Sequence, residues 1–238
     1  MEKKGAAAIP YHIAVIMDGN GRWARDKNLP RICGHREGAK AVDRTVTAAR
    51  EMGIRYLTLY AFSSENWKRP HQEIRGLFSL LKHYLKKELK RLKTSGIRFR
   101  AMGEWKSMPQ DVVDELTLAI KETETSSEMD LIMALNYGGR QEILQAVQKI
   151  EQLSRRDSAF SWPAAEDEFR RFLYLPDVPD PDLLIRTSGE NRVSNFLIWQ
   201  TAYAEFYFTR TLWPDFGKAD LVKAVREYQK RDRRFGGL

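Results

Sequence analysis

Short apolar runs alternate with longer amphipathic stretches along most of this 238-residue chain. The short runs are rich in β-branched residues, as is typical of buried strands. The longer stretches place apolar residues three and four positions apart, which is the helical period, and Ile74, Leu77 and Leu81 are a clear example. This alternation predicts an α/β fold with a mostly parallel, six-stranded central sheet flanked by helices.

We expect six strands and seven helical stretches. The predicted strands are His12–Met17, Tyr56–Phe62, Ile97–Met102, Met129–Asn136, Leu183–Arg186 and Ala204–Phe208. The predicted helices are Gly34–Met52, Gln72–Thr94, Gln110–Thr125, Arg140–Ser154, Ala164–Phe172, Ser194–Thr201 and Lys218–Arg231. Because no low-complexity linker or internal repeat interrupts the pattern, we expect an N-terminal tail over residues 1–11 and a single domain over residues 12–238.

Composition narrows the class of protein. A hydrophobic fraction of 42% is enough for a sizeable core. Apolar runs such as Ile13–Met17 are too short to span a bilayer, and the N-terminus has no apolar region typical of a signal peptide. The single cysteine, Cys33, excludes an intramolecular disulfide and a cysteine metal cluster. These features favour a cytoplasmic protein.

The net charge of +8 is compatible with nucleic acid, an anionic membrane surface or a polyanionic small substrate as the partner. Much of this charge lies in Lys82–Lys93, where leucines keep helical spacing, so these lysines are typical of a solvated helix face. No nucleic-acid-binding motif accompanies them, and we expect no specific nucleic-acid partner.

Polar residues follow four of the predicted strands at the point where each strand ends. They are Asp18–Arg22, Ser63–Arg69, Asn136–Arg140 and Arg186–Ser194. Parallel strands present their carboxyl ends on one side of the sheet, where open α/β sheets bind ligands. The four segments are therefore expected to meet at one cleft.

The segment Asp18-Gly19-Asn20-Gly21-Arg22 carries the most specific chemistry. Glycines after a strand let backbone N–H groups approach an anion closely, because no Cβ is in the way. A carboxylate in the same loop faces an anion favourably only when a cation stands between them. A divalent metal that holds a phosphorylated ligand explains both the glycine amides and the carboxylate, so the segment predicts a Mg²⁺-dependent diphosphate site.

Two groups of cationic and polar residues predict two anion sites. The first adds Arg31, His35 and Arg69 to the glycine segment, and the second is the stretch Arg186–Ser194. Arginine suits diphosphate because its planar fork donates two hydrogen bonds and stays charged. Two such sites on one cleft indicate two diphosphate substrates, and hence a transfer or condensation reaction.

Each of these residues also has a purely structural interpretation. Asp18 could cap a following helix, and His35 could be a packing histidine. Arg186 and Arg192 could form surface ion pairs with Glu190 and Asp182. Glu205 lies within an apolar strand and needs a partner, which a metal shared with Asp18 or a salt bridge would supply.

The motifs Ile16–Trp23, Phe62–Arg69, Asn136–Arg140 and Arg186–Phe216 resemble those of the cis-prenyltransferases, and the similarity runs from about His12 to Gly237. The resemblance implies a homodimeric α/β enzyme with an apolar tunnel. Such an enzyme elongates farnesyl diphosphate with isopentenyl diphosphate to a long polyprenyl diphosphate, here of expected undecaprenyl length. It also implies Mg²⁺ as the cofactor and a transient contact with the membrane surface on product release.

The resemblance assigns roles by position. Asp18 and Glu205 would hold Mg²⁺, and Asp18 would assist departure of diphosphate. Asn66 matches the proposed proton acceptor, although a neutral carboxamide is a weak base. Residues expected to bind the allylic diphosphate or line the reacting region are Gly19, Asn20, Gly21, Arg22, Trp23, Arg31, His35, Ser63, Ser64, Glu65, Trp67 and Arg69. Residues expected at the isopentenyl diphosphate are Arg186, Arg192, Val193 and Ser194, with Arg234, Phe235 and Gly236 reaching into the partner subunit's site.

Two rival classes fit the sequence less well. Phosphatases of the haloacid-dehalogenase type need a second aspartate two residues after the first, and this chain has Asn20 there. A non-catalytic subunit of a prenyltransferase would be expected to have lost its metal and diphosphate groups, yet Asp18, Arg22, Arg186 and Glu205 are all present.

Overall fold

The computed structural model describes residues 9–157 and 159–231. Its centre is a six-stranded sheet with the order β3-β4-β2-β1-β5-β6, in which every pair of neighbouring strands is parallel. The α/β architecture predicted from the sequence is therefore confirmed. The strands are β1 (His12–Ile16), β2 (Tyr56–Ser63), β3 (Ile97–Met102), β4 (Met129–Tyr137), β5 (Leu183–Arg186) and β6 (Glu205–Phe208).

Helices and connecting segments cover the two faces of this sheet, as parallel strands require. The helices are α1 (Asn20–Asp26), α2 (Arg31–Glu51), α3 (His71–Thr94), α4 (Gln110–Glu122), α5 (Gly139–Arg156), α6 (Glu166–Arg170) and α7 (Lys218–Gln229). Five of them match predicted helices to within a few residues, and α6 is the shortened form of the predicted Ala164–Phe172. A 3-10 turn over Ser64–Lys68 follows β2.

Two local predictions are wrong. The predicted helix Ser194–Thr201 is a series of turns, because Ser194, Asn195 and Leu197 have φ angles of 47°, 62° and 48°. Such positive values are incompatible with a right-handed helix. The glycine segment after β1 is not a loop throughout, since α1 begins at Asn20, directly after Gly19 with its φ of 109°.

The core lies on both sides of the sheet, which explains the continuous apolar runs of the central strands. In β1, Ile13 and Val15 pack with the helices α2, α3, α4 and α7 in the larger cluster. Ala14 and Ile16 face the opposite, smaller cluster, which includes Tyr137. The burial of both faces fixes the register of each strand.

Three lysines of the basic run on α3 pair with acidic side chains of α4. Lys82 contacts Asp111, Lys86 contacts Glu115 at 2.9 Å, and Lys93 contacts Glu122 at 2.9 Å. These lysines therefore form a row of ion pairs between two helices rather than an unpaired basic patch. Across residues 9–157 and 159–231, we find no helix with the length and apolar character needed to cross a membrane.

Candidate active site

The polar segments that follow β1, β2 and β5 meet at one edge of the sheet, as the parallel topology predicts. The register pairs Ile16 with Tyr60 on one side and with Arg186 on the other. A cavity of about 660 Å³ opens at this edge. Its polar lining residues are Asp18, Asn20, His35, Ser63, Glu65, Asn66, Arg69, Arg186, Arg192, Ser194 and Asn195.

The Asp18 carboxylate lies between two arginines. Arg186 donates from Nη2 to Oδ2 at 3.0 Å, and the guanidinium of Arg22 lies 3.5 Å from the same oxygen. Burial would by itself raise the pKa of Asp18, but hydrogen bonds from Arg186 and Ser188 and the charges of both arginines lower it below its ordinary value. Asp18 is therefore a carboxylate at neutral pH.

The backbone around Asp18 is fixed by its neighbour Thr187 on β5's carboxyl end. The amide of Asp18 donates to Thr187 Oγ1 at 2.9 Å, and that hydroxyl donates to Asp18 O at 2.6 Å. Arg22 in turn donates to Ser188 O at 2.8 Å and to Ser188 Oγ at 2.5 Å. These contacts hold the first predicted anion site against the second one.

Arg186 connects Asp18 with the turn segment that follows β5. Its Nη1 donates to Ser194 Oγ at 2.7 Å and to the backbone carbonyl of Arg192. The side chain is only 4% exposed, so this cation stays close to Asp18 and Ser194. The structure thus brings the predicted residues Asp18, Arg186 and Ser194 together in one contact chain.

The remaining members of the second site lie nearby. Arg192 lines the cavity and pairs with Glu190 at 2.5 Å, as the ion-pair interpretation of the sequence proposed. Val193 packs against the smaller core cluster, which anchors the segment. Arg234 and Gly236, with Phe235 between them, lie outside the described residues.

A second depression of about 480 Å³ shares Asp18 with the first cavity. It is lined by Asp18, Gly19, Gly21, Arg22, Arg25 and Arg31. A Cβ on Gly21 would lie 3.2 Å from the Arg31 guanidinium, so a glycine there lets this cation sit against the start of α1. Trp23 points elsewhere, donating from Nε1 to Asp215 Oδ1 at 2.8 Å.

Glu73 on α3 brings together three other residues of the first site, and sequence reasoning missed it. Its carboxylate lies 3.1 Å from Arg69, 3.5 Å from His35 and 3.6 Å from Arg31. The sequence could have suggested the Arg69–Glu73 contact, since the two residues are four apart. The contacts with α2 could not be predicted without the packing of α2 against α3.

His35 lies in α2 with its ring largely buried. Burial, and next the charge of Arg69, lower its pKa below the ordinary histidine value, although Glu73 opposes this. His35 is therefore neutral at pH 7 and can donate one hydrogen bond to an anion without adding a charge.

The segment after β2 forms one wall of the cavity. Asn66 accepts a hydrogen bond from the Ser63 amide through Oδ1 at 3.1 Å and lines the cavity. Trp67 is 39% exposed, donates to Asn136 Oδ1 at 2.8 Å and packs edge-on against Phe62. Ser64 and Glu65 lie in the same short helical turn.

Below this polar rim the cavity becomes apolar. Both α2 and α3 run from the carboxyl ends of the strands towards their amino ends, so later residues lie deeper. From His35 to Val42 this amounts to about 10 Å at the helical rise. The apolar lining includes Ala39, Val42, Phe62, Leu77, Phe78, Leu80, Leu81, Tyr84, Met133 and Leu135.

Glu205 does not lie with Asp18. The register pairs Leu183 with Ile13 and with Glu205, so Glu205 is at the amino end of β6, while Asp18 follows the carboxyl end of β1. At the rise of a strand, the two are about 16 Å apart along the sheet axis alone. Glu205 instead forms a salt bridge with Arg231.

A metal ion at Asp18 would need ligands from elsewhere. Within the described residues there is no group of three or more His, Cys, Asp or Glu side chains that could hold one. Asp18 is 31% exposed and lines the cavity. This fits Mg²⁺, which commonly takes one or two carboxylates and completes its shell with waters and substrate phosphates.

Comparison of the sequence with known proteins agrees with this geometry. A sequence profile described as "Putative undecaprenyl diphosphate synthase" matches residues 16–236. The chain is 50% identical to an isoprenyl transferase of Heliobacterium mobile over 97% of this chain and 88% of that protein. It is 49% identical to the isoprenyl transferase of Thermotoga maritima, over 97% of this chain and 98% of that protein.

Solved structures share the fold, including the following two. One is lavandulyl diphosphate synthase from Lavandula x intermedia in complex with dimethylallyl diphosphate, with a TM-score of 0.92 and 35% identity, covering 96% of this chain and 98% of that one. The other is a probable undecaprenyl diphosphate synthase from Campylobacter jejuni, with a TM-score of 0.80 and 32% identity, covering 96% and 99%. The chain therefore belongs to the undecaprenyl diphosphate synthase family and is an isoprenyl transferase.

Proposed function

We propose that this isoprenyl transferase condenses isopentenyl diphosphate onto farnesyl diphosphate, with Mg²⁺, and extends the product to undecaprenyl diphosphate, a lipid carrier precursor for cell-wall polysaccharide synthesis. The observation that carries the proposal is the position of Asp18, an ionised carboxylate between Arg22 and Arg186 at the mouth of an apolar cavity. Charged groups at the mouth suit diphosphates, and the apolar interior suits a hydrocarbon chain.

Asp18 contacts Arg22 of the first predicted anion site and Arg186 of the second, which suits two diphosphate substrates. Arg22, Arg31 and Arg69, with neutral His35, would bind the allylic diphosphate. Arg186 and Ser194, with Arg192, would bind isopentenyl diphosphate. Dimethylallyl diphosphate, bound in the lavandulyl diphosphate synthase structure, is an allylic diphosphate, which supports this class of substrate.

The arginines stabilise the transition state. As the allylic carbon–oxygen bond breaks, negative charge develops on the departing diphosphate, and preorganised cations lower the energy of that charge. Mg²⁺ bound at Asp18 and the diphosphate would neutralise further charge. Asn66 faces the cavity and orients the reacting groups, and the departing diphosphate is the stronger base for the proton that is lost.

The apolar part of the cavity would hold the growing chain. Its walls, from Leu77 and Leu81 of α3 to Met133 of β4, exclude water from the allylic carbon. The expected undecaprenyl length rests on the similarity to undecaprenyl diphosphate synthases, because the length of the product depends on how these walls adapt to it.

The assembly of the enzyme is a further part of the proposal. A metal shared by Asp18 and Glu205 would require Glu205 from a second copy of the chain, since the sheet register separates the two within one copy. The resemblance likewise implies a homodimer, with Arg234 and Gly236 reaching the partner's isopentenyl site. We propose a cytoplasmic homodimer, with one catalytic domain over residues 12–238 per chain, that contacts the membrane surface transiently when the product leaves.

The test is an incubation with Mg²⁺, farnesyl diphosphate and labelled isopentenyl diphosphate, followed by chromatography of the chain lengths. We expect a series of products that ends near eleven isoprene units. Asp18→Asn should abolish it, whereas the matched variant Asp26→Asn, which alters an exposed carboxylate at the end of α1, should not. Chelation of divalent metal should abolish the series reversibly.

A series that ends at another length would keep the condensation and correct the product. Folded wild-type protein that makes no carbon–carbon bond from these two substrates would refute the proposal.

A further inference from the structure

Asn195 joins three chain segments at the cavity mouth, although nothing in the sequence marks it as more than a turn residue. It is half-buried, lines the cavity and has a φ of 62° in the left-handed region, which asparagine tolerates better than most residues. Its neighbour Ser194 accepts the hydrogen bond from Arg186. The position of Asn195 therefore bears on the second diphosphate site.

The side-chain amide of Asn195 uses both its donor and its acceptor. Oδ1 accepts from the Arg140 amide at 2.9 Å, at the start of α5. Nδ2 donates to Glu65 Oε1 at 2.9 Å, in the segment that follows β2, and to Gln141 Oε1 at 3.1 Å. The backbone carbonyl accepts from the Gly139 amide at 2.7 Å.

Gly138 shows how tightly these segments converge. A Cβ on this residue would lie 2.2 Å from Gln141 Oε1, 2.7 Å from Asn195 Nδ2 and 2.8 Å from Ser64 Oγ. The three atoms come from α5, from the segment after β5 and from the segment after β2. A side chain at position 138 would push all three apart.

We propose that Asn195 is a positioning residue that holds the isopentenyl diphosphate site at a fixed distance from the Ser63–Trp67 wall. The contact chain runs from Glu65 through Asn195 to its covalent neighbour Ser194, and on through Arg186 to Asp18. Every residue of this contact chain lines the cavity. The inference rests on the proposed function, because it takes Arg186 and Ser194 as the isopentenyl site.

Two substitutions separate the side chain from the backbone conformation. Asn195→Gly removes the amide and keeps a residue that favours positive φ, so a loss of function cannot arise from backbone strain. Asn195→Asp keeps the acceptor for the Arg140 amide but sets a carboxylate against the Glu65 carboxylate. The matched control is Gln148→Ala, an exposed amide on α5 whose surroundings do not include the cavity.

We expect Asn195→Gly to raise KM for isopentenyl diphosphate about tenfold, the loss typical of a hydrogen bond to a charged group. KM for farnesyl diphosphate should change less than twofold. Asn195→Asp should be worse than Asn195→Gly because of the added repulsion. Gln148→Ala should match the wild type, and equal melting temperatures would show that all variants are folded.

A reversed pair gives the sharpest test. In Glu65→Gln/Asn195→Asp the new glutamine amide can donate to the new carboxylate, which restores the contact with donor and acceptor exchanged. We expect Asn195→Asp to raise KM for isopentenyl diphosphate much less in the Glu65→Gln background than in the wild type. Losses that simply multiply in the double variant, or an Asn195→Gly enzyme with unchanged KM, would overturn the proposal.

Binding of inorganic pyrophosphate, measured by calorimetry, tests the same contact without turnover. Weaker binding to Asn195→Gly than to Gln148→Ala is expected. If the wild type binds pyrophosphate but makes no prenyl product, the proposed function fails and the positioning role is still decided by this comparison. Equal pyrophosphate affinity in an enzyme that does turn over would refute the positioning role alone.

Discussion

Arg186 lies beneath Asp18, with its Nη2 3.0 Å from Oδ2, and is far more buried than the carboxylate it supports. The arginine side chain is 4% exposed and the aspartate 31%. The cation is thus withdrawn from solvent, while the carboxylate keeps a free side towards the cavity mouth. Asp18 can therefore face a metal and a diphosphate without losing its internal counter-ion.

Replacing Arg186 should change how activity depends on pH. Arg186 and Arg22 hold the pKa of Asp18 below its ordinary value, so the wild-type carboxylate stays ionised well into the acid range. In Arg186→Met the burial of Asp18 persists while its main counter-ion is gone, so its pKa rises. The acid limb of the kcat/KM profile should shift to higher pH, and kcat/KM at pH 7.5 should fall by about 10- to 100-fold.

The control for this prediction is Arg192→Met. Arg192 pairs with Glu190 rather than with Asp18, so its loss should weaken substrate binding without moving the acid limb. A profile recorded between pH 4 and 9 distinguishes the two. An acid limb that stays in place in Arg186→Met would show that Asp18 does not set it.

Replacing Glu73 should weaken binding of the allylic substrate alone. Its carboxylate holds Arg31, Arg69 and His35 in one group, and no residue of the second site is among its contacts in the described chain. Glu73→Gln removes the charge that fixes them, and we expect KM for farnesyl diphosphate to rise about tenfold. Steady-state kinetics with each substrate varied in turn would measure the effect.

Glu122→Gln is the matched control, since Glu122 of α4 pairs with Lys93 of α3. It should leave both KM values unchanged. A rise in KM for isopentenyl diphosphate as large as that for farnesyl diphosphate in Glu73→Gln would mean that the two sites are not separated as proposed.

The sequence predicted the strands well because buried parallel strands are continuous apolar runs that few other structures share. Convergence of the site followed from topology, since parallel strands end at one edge. The turns after Ser194 were misassigned because no glycine or proline marks them, while contacts with α5 impose positive φ at Asn195. Helix α1 was missed because Gly19 and Gly21 lower helix propensity.

The residues that sequence reasoning overlooked share one property. Glu73 and Asn195 act through contacts with segments far away in the chain, on α2 for Glu73 and after β2 for Asn195. Local patterns carry no information about such contacts. The separation of Glu205 from Asp18 likewise depends on strand register, which only the assembled sheet defines.

His12 makes the fold sensitive to acid. It is fully buried in β1, with Nε2 2.8 Å from Thr58 Oγ1 and Nδ1 2.7 Å from Pro179 O. Burial lowers its pKa from 6.5 to about 4. The neutral ring is therefore favoured in the folded state, and its contribution to stability is complete above pH 6.5 and is lost as pH falls through about 4.

A shift of this size corresponds to roughly 3 kcal/mol of unfolding free energy. We expect urea unfolding of the wild type to show this loss between pH 6.5 and 4, and His12→Gln to show a flatter dependence because glutamine does not titrate. His71→Gln, an exposed histidine, is the control and should keep the wild-type slope. Equal slopes in all three proteins would contradict the prediction.

Gly34 sets the distance between α1 and α2, and its replacement should damage both stability and activity. A Cβ on Gly34 would lie 2.0 Å from the carbonyl oxygen of Asn20, and 2.8 Å from its carbonyl carbon. These are backbone atoms of α1, so the helix itself must move. Because α1 carries Arg22, the movement should disturb the first anion site as well.

Gly76 provides the comparison, since it also lies inside a helix but faces the flexible end of Ile32, at 2.9 Å. Alanine favours helix at both positions, so helix propensity cannot account for a difference between them. We expect Gly34→Ala to lose about 1–3 kcal/mol of stability, as overpacking does, and at least tenfold in kcat/KM. Gly76→Ala should stay within about 1 kcal/mol of the wild type, because a rotamer change of Ile32 offsets the contact. Chemical denaturation and steady-state kinetics on the same preparations measure both effects. If the two variants were equally stable, α1 and α2 would not be in the close contact on which the geometry of Arg22 depends.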